Sequence, residues 1–114
     1  MHDVSTMYHK LATLYFDANE PDAAMKALKE VLIRCSNDSA LAVHAMHLLA
    51  LCYHKKELFR EALNFEKQVY AYYKKNLGED NERSKDAFAL IENFTKMAVK
   101  QSKKKKVVTP KTSA

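Results

Sequence analysis

The sequence predicts an all-α protein: a solenoid of two helical hairpins followed by a terminal capping helix. Its 114 residues include one glycine and two prolines, so helix breakers are few, and no β-branched alternation indicates a strand. The pattern also repeats along the chain. The matching residues stand 38 positions apart: Leu11 and Leu49, Ala12 and Ala50, Tyr15 and Tyr53, Ala24 and Ala62, Val31 and Val69. Such internal similarity is typical of repeat architectures.

Small residues occupy matching places in the two helices of each hairpin. Ala12 is expected to face Ala24, and Ala50 to face Ala62. Antiparallel helices approach to roughly 8–10 Å, and a larger side chain at the contact would force them apart. Each repeat has a large apolar residue, a leucine, a small residue and then a tyrosine, with a second small residue in the partner helix. In this order the sequence resembles the tetratricopeptide repeat (TPR).

The first hairpin is predicted over about residues 3–35. Its first helix runs to about Asp17, and Asn19 is expected to cap the second helix. Pro21 fits the first turn of that second helix, where a missing N–H costs little. Cys35 and Cys52 are not in a C-x-x-C spacing, so we expect both to be buried small apolar residues instead of metal ligands or redox groups.

The second hairpin is predicted over about residues 39–76, with Asp38 as the N-cap of its first helix. Gly78 is expected to end the long second helix in a left-handed conformation. Asp80 or Asn81 should then cap the terminal helix, which is predicted over about residues 82–102.

The two ends of the array differ in the sequence. Glu92 stands where the earlier repeats have Ala12 and Ala50, which argues against another helix packing behind the terminal one. Solenoids need such a polar last face. The first helix has no preceding cap, so its outer face is expected to carry unpaired apolar residues. This suggests, as a hypothesis, that the chain is the carboxy-terminal piece of a longer array.

Basic charge is concentrated at the carboxyl end. The net charge is +5, but seven lysines and no acid follow residue 95, which leaves 12 basic and 14 acidic residues before that point. Residues 103–114 are predicted to form a basic disordered tail. The candidates for contact with RNA phosphates are Lys100, Lys103, Lys104, Lys105 and Lys106. The alternative is a solvated tail that binds nothing.

Residues 57–105 carry a more specific resemblance. The markers are EAL at 61–63, EK at 66–67, Val69-Tyr70, LGED at 77–80, Arg83-Ser84-Lys85 and an aromatic-bearing helix that runs into lysines. This stretch resembles the last repeat and terminal helix of the clustered mitochondria (Clu) family. Asn81-Glu82 replaces a His-Pro pair of that family. Kinesin light chains share the LGED-type turn, but there another full hairpin follows it.

The resemblance implies a module of a cytosolic protein whose family is needed for mitochondrial distribution, binds mRNAs for mitochondrial proteins and is linked to the translation initiation machinery. We therefore expect a cytoplasmic, non-catalytic interaction module. Its expected partners are proteins or peptides in the TPR groove, with mRNA or ribosome and initiation-factor assemblies as further partners; no membrane insertion and no small-molecule substrate are expected. The alternatives are a kinesin light-chain-like cargo adaptor and a direct RNA-binding module that uses the tail.

The concave groove is predicted from the first helix of each hairpin. The partner-binding candidates are His9, Thr13, Phe16, His44, His47, Leu51, His54 and Lys55. Each of them could instead be solvated or contact a neighbouring repeat. Zinc binding by the three histidines of the second hairpin is disfavoured, because Leu51 shares their face and a fourth ligand is missing. We predict no metal, no cofactor and no enzyme, since no catalytic set or Gly-rich loop is present.

Overall fold

The computed structural model describes the backbone of residues 2–36 and 38–113, and the side chains of residues 4–36 and 38–103. Five helices make up this part of the chain, and it contains no strand. They are α1 (His2–Asp17), α2 (Pro21–Arg34), α3 (Ala40–Lys55), α4 (Phe59–Leu77) and α5 (Glu82–Ser113). Helices α1 and α2 form one hairpin, α3 and α4 form the next, and α5 packs on α4. The predicted all-α TPR solenoid is confirmed.

The turns inside the two hairpins have the same geometry. Asn19 and Glu57, 38 residues apart, both adopt left-handed backbone conformations, with φ of 62° and 60°. The next N–H closes each helix: Glu20 N donates to the Tyr15 carbonyl at 2.8 Å, and Leu58 N donates to that of Tyr53 at 2.9 Å. Asn19 therefore ends α1 and does not cap α2, which corrects the predicted cap.

Two of the other predicted helix ends are resolved. The N-cap of α3 is Ser39, whose Oγ accepts from Ala42 N at 3.1 Å; the predicted Asp38 lies one residue too early, since α3 begins at Ala40. Asn81 caps α5 as one of the two predicted candidates, because its Oδ1 accepts from Arg83 N at 2.9 Å.

The core lies where helices of the two hairpins meet. The four paired alanines, Ala12, Ala24, Ala50 and Ala62, are completely buried. Ala12 and Ala24 pack with Leu28 and Val31 of α2 and with Leu49 of α3. Ala50 and Ala62 pack instead with Phe94 of α5. Small residues at these positions let three layers of helix approach closely, as the repeat predicts.

Two expectations about the chain are corrected. Helix α5 does not end near residue 102, since its backbone stays helical to Ser113 where an irregular tail was predicted. Lysine is a good helix former, and extending an existing helix is easier than starting one. Cys35 is only partly buried, because it follows the last residue of α2, whereas Cys52 is buried as predicted. Within the described residues, no helix is long and apolar enough to cross a membrane.

Candidate functional site

The predicted groove residues of the two hairpins lie side by side on α1 and α3. The ring centroids of His9 and His44 are 6.3 Å apart. The Nζ atom of Lys55 lies 4.1 Å from the centroid of the Phe16 ring. Thr13 is exposed, and its hydroxyl donates to the His9 carbonyl at 3.0 Å within α1. The structure thus brings the two sets of candidates onto one continuous face.

Lys55 joins the two hairpins at the edge of this face. Besides its cation–π contact with Phe16, its ammonium group donates to the Phe16 carbonyl at 3.5 Å and to Asn19 Oδ1 at 3.3 Å. All three acceptors belong to the first hairpin. Lys55 is therefore a contact between repeats as well as a candidate for partner binding.

His47 is held by a buried carboxylate that the sequence reading did not single out. Its Nδ1 lies 3.0 and 3.2 Å from the two carboxylate oxygens of Glu66, and Glu66 is completely buried in α4. This hydrogen bond raises the pKa of His47 above its usual value, although burial alone would lower it. The sequence feature that could have identified Glu66 is its position between Ala62 and Val69, on the buried stripe of α4.

The pKa values of the three histidines nearest the middle of the face are shifted in different directions. Burial, and then the charge of Arg83, lowers the pKa of His44. Burial, and then His44, lowers the pKa of His9. His47 favours the protonated form because of Glu66. The face consequently carries two imidazole rings whose pKa is lowered beside one whose pKa is raised.

Helix α5 completes the face at the end of α3. The His54 ring lies 5.1 Å from the Phe94 ring and 5.4 Å from the Phe59 ring, measured between centroids. Leu51 is partly buried against the same cluster as Phe94. Sequence reasoning placed no residue of α5 in the groove, because it took the candidates only from the first helix of each hairpin.

A cleft of about 580 Å³ opens where α3, α4 and α5 meet. Its lining residues are His54, Lys55, Glu57, Phe59, Met97, Lys100 and Gln101. The Gln101 side chain donates to the Glu57 carbonyl at 2.9 Å and so ties α5 to the turn between α3 and α4. Two groove candidates, His54 and Lys55, thus meet Lys100, which was singled out for RNA contact.

The other RNA candidates lie beyond this cleft. Lys103 is exposed on α5. Lys104, Lys105 and Lys106 lie outside the residues whose side chains the structure describes.

The cysteine and histidine residues do not form a metal centre in the described part of the chain, where no three His, Cys, Asp or Glu side chains group closely enough to hold an ion. His44, His47 and His54 have separate partners. Burial raises the pKa of the Cys52 thiol to about 11, so that thiol is protonated near neutral pH.

Comparison with protein families agrees with this architecture. A tetratricopeptide repeat family model matches residues 3–75, which cover both hairpins to within two residues of the end of α4. The chain belongs to the tetratricopeptide repeat family. The TPR geometry accounts for the buried alanines and for the continuous face on the first helices.

Curated relatives extend the comparison to particular proteins. The clustered mitochondria protein homolog of Homo sapiens is 43% identical over 53 residues, which are 46% of this chain and 4% of the human protein. The Aedes aegypti homolog is 28% identical over 106 residues, 90% of this chain and 7% of its own length. The Brugia malayi homolog is 29% identical over 93 residues, 78% of this chain and 6% of its own.

The resemblance to the Clu family is confirmed by these relatives. The chain spans less than a tenth of the length of the curated relatives it matches. No solved structure matches it significantly.

Proposed function

We propose that the chain is a non-catalytic protein-interaction module that binds a peptide segment of a partner along the face formed by α1, α3 and α5. The observation that carries the proposal is the cleft of about 580 Å³ at the carboxyl end of α3. Such clefts on rigid hairpins bind with little loss of conformational entropy, because their lining side chains are already in place.

The lining of the cleft favours a partner with an apolar anchor and an acidic flank. Phe59 and Met97 supply apolar surface, and Phe59 is itself packed and almost fully buried. Lys55 and Lys100 add two positive charges against the single carboxylate of Glu57. A peptide with one large apolar side chain beside aspartate or glutamate residues would match both the surface and the charge.

The proposal is tested with a panel of fluorescently labelled peptides, each with one leucine or tryptophan and with either glutamate or lysine flanks. The acidic peptides should bind this chain, and Lys100→Glu should weaken that binding at least about tenfold. The matched control is Lys85→Glu, the same charge change on an exposed part of α5 about 22 Å along the helix. Equal binding by both variants, or no preference for acidic flanks, would contradict the proposal.

His47→Glu and Lys55→Glu are unsuitable tests of the same face. The first would place a second carboxylate beside the buried Glu66, and the second would remove the contacts of Lys55 with Phe16 and Asn19. With either variant, a loss of binding could not be distinguished from a loss of structure.

By its similarity to the clustered mitochondria protein homologs, we also propose a role for the chain in mitochondrial distribution, in the cytoplasm. Association with mRNA and with ribosome or initiation-factor assemblies belongs to this proposal. The remaining groove candidates on α1 and α3 would contribute to binding beside the cleft. No membrane insertion, cofactor or catalytic step enters it.

Direct RNA binding is the second candidate, favoured by the exposed Lys103 and by Lys100 in one helix. Binding of a single-stranded RNA should then fall steeply with salt and require residues 103–114. Binding that is unchanged by removal of these residues would exclude the tail as the RNA site. A kinesin light-chain-like cargo adaptor would share the preference for acidic peptides, would favour those that contain an aromatic residue, and would not bind RNA.

A further inference from the structure

A second, smaller cavity of about 130 Å³ lies where α3, α4 and α5 meet. Its lining residues are His47, Glu66, Tyr73, Arg83, Asp86 and Ala87. None of them lines the cleft of about 580 Å³ described above, which we call the peptide cleft. Five of the six side chains carry a charge or a hydrogen-bonding group, so this polar pocket is suited to a charged or polar group of a ligand.

The His47 ring enters the polar pocket with one nitrogen already engaged. Its Nδ1 lies 3.0 and 3.2 Å from the two carboxylate oxygens of the completely buried Glu66. An ionised carboxylate only accepts hydrogen bonds, so Nδ1 carries a proton whether the ring is neutral or charged. Nε2 has no hydrogen-bond partner among the side chains that the structure describes. It is therefore a donor when the ring is protonated and an acceptor when the ring is neutral.

Arg83 supplies a second donor from α5. It is exposed, and within the described residues no carboxylate lies at ion-pair distance from its guanidinium group. Tyr73 lies beside it, and burial raises the pKa of the Tyr73 hydroxyl, which keeps that hydroxyl protonated. The guanidinium group presents five N–H donors in a planar fork that matches the two oxygens of a carboxylate.

The charge of the polar pocket depends on His47. The charged and titratable groups that face His47 are His44 on α3, Glu66 and Tyr73 on α4, and Arg83 and Asp86 on α5. When His47 is protonated, its charge balances Glu66, and Arg83 balances Asp86. When His47 is neutral, the same four residues carry one net negative charge, and Nε2 presents a lone pair. An anion is then repelled by the net charge and also meets an acceptor in place of a donor.

One extended peptide segment can reach both the polar pocket and the peptide cleft. His47 lines the pocket, while His54 and Lys55 line the cleft seven and eight residues later on the same helix. At 1.5 Å per residue, this separation is about 10–12 Å along α3. An extended chain covers that distance in about three or four residues.

Resting on the proposed function, we propose that the polar pocket binds a carboxylate side chain of the partner peptide, three or four residues from the apolar anchor, through the Arg83 guanidinium group and the Nε2–H of protonated His47. Glu66 is a positioning residue, because it holds Nδ1 and so directs the second proton of the ring to Nε2. Binding of the carboxylate therefore takes up a proton at His47 and weakens as pH rises.

The test uses a panel of labelled peptide pairs with the same tryptophan and the same acidic flank. The members of a pair differ only in glutamate or glutamine, placed three or four residues from the tryptophan on either side. With the full chain at about pH 6, one glutamate peptide should bind at least about fivefold more tightly than its glutamine partner. This ratio should shrink as pH rises to about 8.5, although the peptide glutamate stays ionised throughout.

Substitutions in the chain locate the effect. Arg83→Gln should reduce the glutamate-to-glutamine ratio to less than about twofold. The matched control is Arg60→Gln, which removes an exposed arginine of α4 that lines neither site, and it should leave the ratio unchanged. Asp86→Asn should strengthen binding of the glutamate peptide about threefold at pH 6, because it removes a like charge. A gain of binding of this kind cannot come from loss of structure.

The possible outcomes separate this proposal from the proposed function. Equal binding of all glutamate and glutamine peptides at pH 6, a ratio that does not change with pH, or a ratio that survives Arg83→Gln would overturn the polar pocket and leave the peptide cleft in place. Failure of every peptide to bind would overturn the proposed function and this proposal with it. NMR titration of the His47 ring gives a second measurement: its pKa should rise further with the glutamate peptide than with the glutamine peptide, and equal values would refute the role of His47.

Discussion

The two end helices of the array present opposite outer surfaces. On α1 the outer stripe is apolar, from Val4 to Leu14, and exposed. On α5 the exposed surface is mixed: Lys85 and Glu92 are exposed beside a half-exposed Phe88, whose ring lies 5.7 Å from that of Tyr70 in α4. The outer surface of α5 therefore combines charged and apolar side chains, while that of α1 is a continuous apolar stripe. The comparison shows that the residues on the outer face of a repeat depend on whether another helix packs on that face.

Leu11 and Leu49 make this point with a single residue type. They occupy the same register position, yet Leu11 is 40% exposed and Leu49 is completely buried. The difference comes from α2, which covers α3, while no helix covers α1 in the described residues. Burial in a repeat array is thus decided by the adjoining layer.

The largest expected effect is the difference in unfolding free energy between alanine variants of these two leucines. Leu49→Ala should lower the free energy of unfolding by about 2–5 kcal/mol, because it leaves a cavity between α2 and α3. Leu11→Ala should cost about 1 kcal/mol or less, since water already reaches that side chain. Urea unfolding of both variants measures the difference. Equal losses would show that α1 is covered as fully as α3.

The next effect contrasts Ala50 with Glu92, its counterpart on α5. Ala50→Leu, or Ala62→Leu in the facing helix, should overpack the hairpin and cost roughly 1–3 kcal/mol. Glu92→Leu should change the free energy of unfolding by no more than about 0.5 kcal/mol, because Glu92 is exposed and no second helix packs on it within the part of the chain that the structure describes. The same urea titration applies. Tolerance of leucine at both alanines would disprove the assigned helix contact.

A third effect depends on pH and concerns the contact between the half-buried His47 and the buried Glu66. The folded state raises the pKa of His47, so the stabilisation is fully present below the unfolded pKa near 6.5 and is lost as pH rises through the higher folded value. The wild-type unfolding midpoint should therefore fall, relative to that of His47→Gln, as pH rises above about 6.5. Asp86 supports the protonated ring, while Arg83 lines the same small cavity with the opposite charge.

His9 and His44 serve as internal controls for this prediction. Their pKa values are lowered in the fold, so their contributions have the opposite sign: stability is lost as pH falls through the unfolded value. His9→Gln should accordingly protect the protein on the acidic side and leave the alkaline loss in place. A wild-type profile that matches that of His47→Gln at every pH would refute the role of Glu66.

The smallest effect returns to the two ends. Met7→Lys and Val99→Lys each replace an exposed apolar side chain, so each should alter the free energy of unfolding by no more than about 0.5 kcal/mol. A much larger loss at Met7 would mean that the amino end is already covered in the isolated chain. Thermal unfolding of the two variants side by side measures this.

The sequence by itself determined the all-α class, the hairpin register and the Clu resemblance. The repeat of Ala12 and Ala24 as Ala50 and Ala62 was sufficient, because a close helix contact admits only small residues. Local signals predicted the helix ends less reliably. Asn19 ends α1 instead of capping α2, and the N-cap of α3 is Ser39 and not the predicted Asp38. Side chains that can stabilise either end of a helix do not reveal which one they serve.

Only the tertiary structure decided which residues of the face act on one another. It paired His47 with Glu66 and seated His54 against Phe94, although each pair is separated by many residues in the chain. Periodicity assigns a residue to one side of its own helix, but the partner depends on the angle and offset of the next helix, which side-chain packing sets. For the same reason, the composition of the peptide cleft became visible only once α5 lay against the end of α3.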